Sequence, residues 1–425
     1  MDLSSNTTKK PRARQRGRKK QNESSNAGQL MSFDRGDKTT DFEEGNETPV
    51  DLAFKKPTIT LRQGCRKDVS TMGGLKSGYG PKTLPLSGAV TPQQSPLQSQ
   101  SPQTADKKSS KSVADNAVTF VDKLVDEGIE RLKKEYTEIN KITPTKTEIA
   151  TFLKPENASK NRNMEVPCID STRVQLQNNP SDYIHANFVA TPSNPKRFIC
   201  TQCPTVDTSN DFWLMIAQHD VERIGMISDM SKGNKDDLAL YFPNKTNRSF
   251  RFGDVKVTCK KREKMTINSE LRRTTLTVQY KDKNLTVLHY HWAYFPTKTV
   301  PPINGAPFQF LGFLRSSKTP IVLHDCLGTG RVGAFCLIEI FMETLMSGKE
   351  VETLQAMTEK LRKSRALAID SEIIYYYVHS LIIDYLKKKL NFQSSQLFLE
   401  FLDSYEAAIK KHEKNLAKQE GKSTP

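Results

Sequence analysis

Residues 320–346 constrain the fold of this chain more than any other segment does. Residues 320–324 (PIVLH) form a short apolar run typical of a buried strand, and residues 332–346 are apolar enough for a buried helix. Between them stands the turn GTGR at residues 328–331. Glycines let backbone N–H groups converge, a helix start adds partial positive charge, and an arginine offers two parallel donors. The sequence therefore predicts a site for a phosphate-sized anion at this turn. It is not a Walker A loop, because no Gly-Lys-Ser/Thr follows.

The first 114 residues differ in composition from the rest of the chain. They are rich in Ser, Thr, Gln, Gly, Pro and Lys and show almost no periodic apolar pattern, so they bury too little surface to offset their ordering entropy. We therefore predict a disordered tail over residues 1–114. Helical periodicity from residue 118 onwards predicts that folded structure follows this tail, and that a C-terminal helix with a Lys-rich end lies within residues 391–425.

The charge balance favours an acidic partner. Lys and Arg number 64 against 48 Asp and Glu, which gives a formal net charge of +16. Eight of these basic residues stand within the twelve positions from Lys9 to Lys20. Such a run predicts a nuclear-localisation signal or a contact with a polyanion. A solvated charge run without a dedicated partner remains an equal alternative.

The cysteines indicate a reducing compartment. Seven are scattered from Cys65 to Cys336, an odd number without the spacing of a disulfide framework. The N-terminus lacks the apolar core of a signal peptide, and no run approaches about 18 apolar residues. We expect a soluble monomer in the cytoplasm, with the nucleus as a second candidate. Cys200 and Cys203 form a C-x-x-C without a second pair, so we expect core thiols, no metal site and no cofactor.

Periodicity predicts the remaining elements. Residues 255–260, 274–281 and 284–291 are β-rich runs that favour an antiparallel meander. Helical spacing appears from residue 118 to residue 133 and again in two later segments. A last helix carries apolar residues before a Lys-rich end, and packing on the domain is favoured over a partner-binding face. The two later segments are 351–361 and 373–386, and the apolar residues of the last helix are Phe398, Phe401, Leu402, Tyr405 and Ile409.

Residues 324–333 (HDCLGTGRVG) resemble the phosphate-binding loop of protein tyrosine phosphatases, whose pattern is H-C-x-x-G-x-G-R-[ST]-G. Residues 160–162 resemble the family's K-N-R-Y loop, and residues 182–187 resemble its D-Y-I-N-A-N. Residues 201–204 and 211–213 resemble its T-Q-G-P and D-F-W. The match covers about residues 115 to 390 in the family's order. It implies an α/β (α+β) fold in which helices flank a twisted mixed β-sheet and the loop lies at the centre.

The same resemblance identifies altered positions. In the family, a cysteine thiolate six residues before the loop arginine attacks phosphorus. Here that position is Asp325, and Cys326 comes one residue late, six and five residues before Arg331 respectively. The acidic residue of the family's W-P-D motif corresponds to Thr297.

Further positions that the resemblance assigns to substrate and water also differ. The glutamine pair that positions water corresponds to Asp370 and Ile374, and the tyrosine that stacks on the substrate ring corresponds to Asn163. The loop residues that would contact phosphate are retained. These are Gly328, Thr329, Gly330 and Arg331.

These changes predict a pseudophosphatase. Loss of a nucleophile costs about a million-fold in rate, and loss of a general acid about a hundred- to ten-thousand-fold. We expect an inactive intracellular binding or scaffold module for a protein kinase or phosphoprotein, in which the Asp325 carboxylate fills the loop itself and phosphotyrosine capture is less favoured. One alternative is an active tyrosine phosphatase with Cys326 as a displaced nucleophile. Another is a polyanion binder that acts through Lys9 to Lys20.

Overall fold

The structure is a computed structural model that describes residues 43–51, 112–228, 240–391 and 393–420. The strands are β1 (Glu43–Gly45), β2 (Arg173–Gln175), β3 (Tyr183–Thr191), β4 (Asn194–Gln202), β5 (Arg223–Ile227), β6 (Ser249–Phe252), β7 (Val255–Met265), β8 (Leu271–Tyr280), β9 (Lys283–Trp292) and β10 (Ile321–Asp325). The helices are α1 (Val113–Ile139), α2 (Ser209–Gln218), α3 (Ala306–Arg315), α4 (Gly330–Met346), α5 (Leu354–Ser364), α6 (Glu372–Leu390) and α7 (Gln396–Glu420). Short 3-10 turns span Lys146–Ile149 and Pro155–Lys160.

All ten of these strands belong to one mixed sheet. Their order is β1-β7-β8-β9-β5-β10-β4-β3-β2, with β6 paired to β7. The centre is parallel, since β5 pairs with β9 and β10, and β10 pairs with β4 in the same sense. Strands β7, β8 and β9 form the antiparallel meander that their alternating sequence predicts. The predicted fold class, a twisted mixed sheet flanked by helices, is therefore confirmed.

Helices cover both faces of this sheet. The larger core lies between one face and helices α1, α3, α4, α5, α6 and α7. A smaller core lies on the other face beneath α2 and includes Trp213 and Tyr241. Every residue of β10 is buried, which is the burial that its uninterrupted apolar run predicts. Among the described residues, no helix combines the length and apolarity that a membrane crossing requires.

Helix α7 packs on the domain. Phe398, Phe401 and Tyr405 are buried in the larger core, and α7 contacts α1 and α6. The ammonium group of Lys387 lies 4.3 Å from the centroid of the Phe398 ring. The favoured interpretation of this helix as a packed element is confirmed.

Two short segments of residues 1–114, over which the sequence predicts a disordered tail, make contacts in the structure. Ser112 caps α1, because its hydroxyl accepts from the N–H of Asp115 at 3.1 Å and the Asp115 carboxylate accepts from the Ser112 N–H. Residues 43–51 bind to the domain, where β1 runs parallel to β7 with Glu43 opposite Glu263. Composition did not reveal this because the contacts come from residues far away in sequence. The basic run from Lys9 to Lys20 lies outside the described residues.

Gly225 in β5 lets α3 approach the sheet beside β10. A Cβ atom at this position would lie 2.6 Å from Cδ2 of Leu323, 2.9 Å from Cζ of Phe310 and 3.0 Å from Cδ1 of Leu314. Interior packing is dense enough that these neighbours cannot all withdraw. The absence of a side chain at Gly225 therefore fixes the spacing between α3 and the strand that leads into the predicted anion site.

We expect Gly225→Ala to destabilise the fold by about 1–3 kcal/mol through overpacking. Gly305→Ala is the matched control, because a Cβ atom there would meet nothing within 4 Å. Urea unfolding followed by circular dichroism measures both variants. Equal midpoints for the two variants would show that α3 does not depend on the missing side chain.

Candidate functional site

The predicted anion site is the loop between Asp325, the last residue of β10, and Gly330, the first residue of α4. Gly328 has φ +70°, and a Cβ atom there would overlap the carbonyl oxygen of Thr201. A Cβ atom on Gly330 would overlap the carboxylate of Asp370. Both glycines of the predicted turn are therefore required by close approach, and the first also by its backbone conformation.

The carboxylate of Asp325 occupies the loop. Its Oδ1 accepts hydrogen bonds from the backbone N–H groups of Leu327, at 3.0 Å, and Gly328. Its Oδ2 lies 3.1 Å from Nε of Arg331. Asp325 and Arg331 are 5% and 6% exposed, so this pair is shielded from water. The donors that would surround an incoming oxyanion are thus bonded to a carboxylate of the chain itself.

Arg331 has a second contact that ties the loop to residues 295–297. Its guanidinium donates to the carbonyl oxygen of Phe295 at 3.3 Å. The Phe295 ring packs edge-on against Trp292 and Tyr377, with centroid distances of 5.7 Å in both cases. Thr297, at the predicted position of the general acid, is exposed two residues beyond this anchored carbonyl.

Asp370 closes the other side of the loop. Its Oδ2 accepts from the hydroxyl of Thr329 at 2.7 Å. The residue is exposed as a whole, but its carboxylate lies against Gly330, where desolvation raises its pKa and the neighbouring Asp325 charge acts in the same direction. Ile374 is buried in the first turn of α6 and presents an apolar side chain. Two carboxylates therefore border the loop.

Arg365 braces the loop from beneath. Its guanidinium donates to the carbonyl oxygens of Gly328 and Leu327 and to Oδ1 of Asn187, each at 2.8 Å. The side chain is 1% exposed. Sequence reasoning missed this residue. The available signal was the pair Arg362 and Arg365 next to the apolar run 366–369. An apolar neighbourhood indicates burial, and buried arginines occur mainly where they satisfy several acceptors.

A buried hydrogen-bonded network lies below the loop. The Tyr241 hydroxyl lies 2.7 Å from Nε2 of His324 and 2.6 Å from Nε2 of His289. One hydroxyl proton serves one contact, so the hydroxyl donates to one ring and accepts from the other. Burial lowers the pKa of His289 to about 3 and that of His324 well below its ordinary value, so both rings are neutral. The sequence placed His324 at the start of the segment that resembles the family's loop, whereas Tyr241 and His289 were missed.

The motifs that carry the family resemblance meet beside this loop. Gln202 accepts from the N–H of Arg162 at 3.0 Å and donates to the carbonyl oxygen of Lys160 at 2.7 Å. The ammonium group of Lys160 lies 2.8 Å from the carboxylate of Asp211. Asn163 accepts from the N–H of Glu165 at 2.8 Å through its own side chain. Asn163 therefore presents a short, internally bonded amide at the position that the resemblance assigns to an aromatic ring.

The cysteines fall into two groups. Five of the six described cysteines are buried, namely Cys168, Cys200, Cys203, Cys259 and Cys336. Burial raises the pKa of Cys168 to about 11 and that of Cys203 to about 12. The thiols of Cys168 and Cys203 therefore stay protonated near neutral pH. Cys326 is half-buried, and its carbonyl oxygen accepts from the N–H of Cys203 at 3.2 Å. Within the described ranges, no group of three His, Cys, Asp or Glu side chains is arranged to hold a metal ion.

Comparison with known proteins agrees with this geometry. The family model "Protein-tyrosine phosphatase" matches residues 157–384. Human tyrosine-protein phosphatase non-receptor type 9 is 28% identical over 292 residues, which cover 63% of this chain and 48% of that protein. Human tyrosine-protein phosphatase non-receptor type 12 is 28% identical over 272 residues, which cover 62% and 34%. The chain thus spans less than half the length of these curated relatives.

A solved structure shows the same fold. The catalytic domain of human protein tyrosine phosphatase non-receptor type 18 superposes with a TM-score of 0.57 at 23% identity. The superposition covers 64% of this chain and 99% of that one. The match of the family model extends over more than half of the chain, which confirms the resemblance seen in the sequence: the chain belongs to the protein tyrosine phosphatase family.

Proposed function

We propose that this domain is a pseudophosphatase, a phosphatase-like binding module that holds a protein kinase or phosphoprotein without hydrolysing phosphotyrosine. One observation carries the proposal. The side chain at the position of the nucleophile is the carboxylate of Asp325, and it is bonded to Arg331 and to two N–H groups of the loop. A thiolate in that place would attack phosphorus while these same donors held the phosphate oxygens.

The displaced-nucleophile alternative meets a geometric difficulty. Attack by Cys326 would require a phosphate held by Arg331 and by the amides of the loop. Asp325 already engages both sets of donors. The position of the general acid is Thr297, whose hydroxyl has too high a pKa to protonate a leaving group. These two facts favour the inactive module over the active enzyme.

The charges around the loop also disfavour phosphotyrosine capture. Asp325 and Asp370 both border the place that a phosphate would enter. Two unit charges about 4 Å apart repel by roughly 4 kcal/mol at an effective dielectric constant near 20. Asn163 adds no ring to stack on the substrate. We therefore propose that the partner is bound through the protein surface around the loop rather than through a phosphate inside it.

The comparisons support a proposal for the class of partner. The relatives are named tyrosine-protein phosphatases, and one solved structure of the same fold is described as PTPN18 in complex with HER2 phosphopeptides. For this chain we propose a phosphoprotein or its kinase as the partner. We also propose an intracellular location, which fits the non-receptor type of these relatives and the absence of disulfides among the six described cysteines.

The proposal predicts no turnover. We expect the purified full chain to release no aryl alcohol from a chromogenic aryl phosphate, either as a burst or in steady state, and we expect Cys326→Ser to behave identically. A tyrosine phosphatase domain with an intact cysteine is the positive control. Hydrolysis by the native chain that Cys326→Ser abolishes would establish the active alternative.

The loop itself can be tested by opening it. Removing the carboxylate in Asp325→Ala frees two N–H groups and Arg331, so we expect a phosphotyrosine peptide to bind at least about tenfold more tightly than to the native chain. Calorimetric titration with the peptide and its unphosphorylated twin measures this difference. The native chain should not distinguish the two peptides.

The double variant Asp325→Ala/Arg331→Ala is the matched control. It should not bind the phosphotyrosine peptide more tightly than the native chain does, because the arginine is absent. Near-UV circular dichroism verifies that each variant is folded. If the native chain already prefers the phosphopeptide by tenfold or more, the carboxylate does not block the loop and the domain reads phosphotyrosine.

A further inference from the structure

Residues 43–51 form an acidic segment that binds to the domain from far away in sequence. The nine residues contain Glu43, Glu44, Glu47 and Asp51 and no Lys or Arg, although the chain as a whole carries a net charge of +16. The 60 residues 52–111 separate the segment from Ser112, where the described part of the chain resumes. The segment is therefore held to the domain by its own contacts, which fall into three sets.

The first set joins backbone to backbone. Strand β1 pairs in parallel with β7, and Gly45 lies opposite Met265. The carbonyl oxygen of Gly45 accepts from the N–H of Thr266 at 3.2 Å, and the N–H of Val50 donates to the carbonyl oxygen of Gly312 at 3.0 Å. Apart from β1 and β6, β7 is the last strand of the sheet on this side. Addition of an extended segment to such an edge is a recurring mode of peptide recognition.

The second set surrounds the carboxylate of Glu47. Its two oxygens lie 3.2 Å from the guanidinium of Arg223 and 2.5 Å from the hydroxyl of Tyr290, and Arg273 completes the site. Burial raises the pKa of this carboxyl, but the hydrogen bond from Tyr290 and the charge of Arg223 outweigh it and lower the pKa. A single carboxylate thus contacts two arginines and one hydroxyl.

The third set receives the residues after Glu47. A Cβ atom on Gly312 would lie 2.6 Å from Cβ of Pro49, so the glycine leaves a notch in α3 that the proline fills. Asp51 accepts from the hydroxyl of Tyr385 at 2.7 Å and pairs with Lys389. Pro49 and Asp51 follow Glu47 by two and four residues. We call the surface that contacts the segment the groove, and its side chains and notch are those of Arg223, Arg273, Tyr290, Gly312 and Tyr385. The groove thus contacts side chains at fixed spacings along the segment.

This groove lies at the end of the sheet away from the phosphate loop. Arg223 is the first residue of β5, and the parallel strand β10 reaches the loop only at its last residue, Asp325. The register places Ile224 beside Val322, so about four residues, or about 13 Å, separate the level of Arg223 from the loop along the strands. The groove therefore shares no residue with the loop.

We propose that this groove is a peptide-binding site that residues 43–51 occupy in cis, and that it accepts an extended acidic segment of a partner protein when its own segment leaves. The partner segment carries a carboxylate for Arg223 and Arg273 and a proline two residues later. Occupation in cis regulates this site, because a tethered ligand competes at an effective concentration of at most about millimolar. The proposal stands independently of whether the phosphate loop is active.

The test uses the full chain, in a variant whose residues 43–51 bind the groove more weakly. In the released variant, Glu47→Lys and Asp51→Lys place like charges against Arg223, Arg273 and Lys389. A fluorescent peptide with the sequence of residues 41–52 is titrated into the released variant and the native chain, with anisotropy as the readout. We expect the peptide to bind the released variant at least tenfold more tightly, because the native groove is occupied. A peptide carrying Glu47→Lys should bind neither chain.

Two further variants locate the binding. Adding Arg223→Ala to the released variant should abolish peptide binding. Adding Lys389→Glu, a substitution at a partly exposed side chain, should weaken binding without touching the core. Equal affinities of the peptide for the released and native chains would overturn the proposal. Competition by inorganic phosphate would also overturn it, because it would show that the peptide binds at the phosphate loop. Light scattering tests a third outcome. If the native chain is a dimer and Glu47→Lys converts it to monomers, a second copy of this chain occupies the groove, and the proposal of a different partner protein is wrong.

Discussion

The ion pair between Asp325 and Arg331 organises the centre of this domain. An arginine buried at a strand-to-helix turn needs a counter-charge, because an unpaired buried charge costs several kcal/mol. In an enzyme of this fold a thiolate or a bound phosphate would supply that charge. Here the carboxylate of Asp325 supplies it permanently and also satisfies N–H groups of the loop. The loop donors Leu327 N–H, Gly328 N–H and Arg331 Nε are therefore satisfied by a side chain of the chain itself.

The scaffold beneath the loop does not depend on the side chain of Asp325. Arg365 binds loop carbonyl oxygens, and Tyr241 joins two neutral histidines below the last residues of β10. None of these contacts involves the side chain at position 325. The surface around the loop is therefore supported by contacts that do not depend on the group at position 325, which supports the binding module that we propose.

The sequence predicted the parts of this structure that depend on local pattern. The run from residue 320 to residue 346 predicted β10, the glycine turn and α4, because burial and backbone freedom are local properties. That run could not reveal Arg365, which lies 40 residues after Asp325 and reaches the loop only through the packing of α5. Glu47 was assigned to a disordered tail, since its partners Arg223 and Tyr290 lie more than 170 residues away. The one local signal for this segment was its acidic composition, since residues 43–51 contain no Lys or Arg.

The pairing of β1 with β7 also bears on how the domain behaves when it is cut free. A recombinant fragment that starts at Ser112 lacks residues 43–51, so the Glu263–Met265 end of β7 loses its neighbouring strand. Unpaired edges of this kind template association between molecules. The two arginines that faced Glu47 would at the same time lose a counter-ion. Self-association of such a fragment would reflect the truncation rather than the oligomeric state of the whole chain.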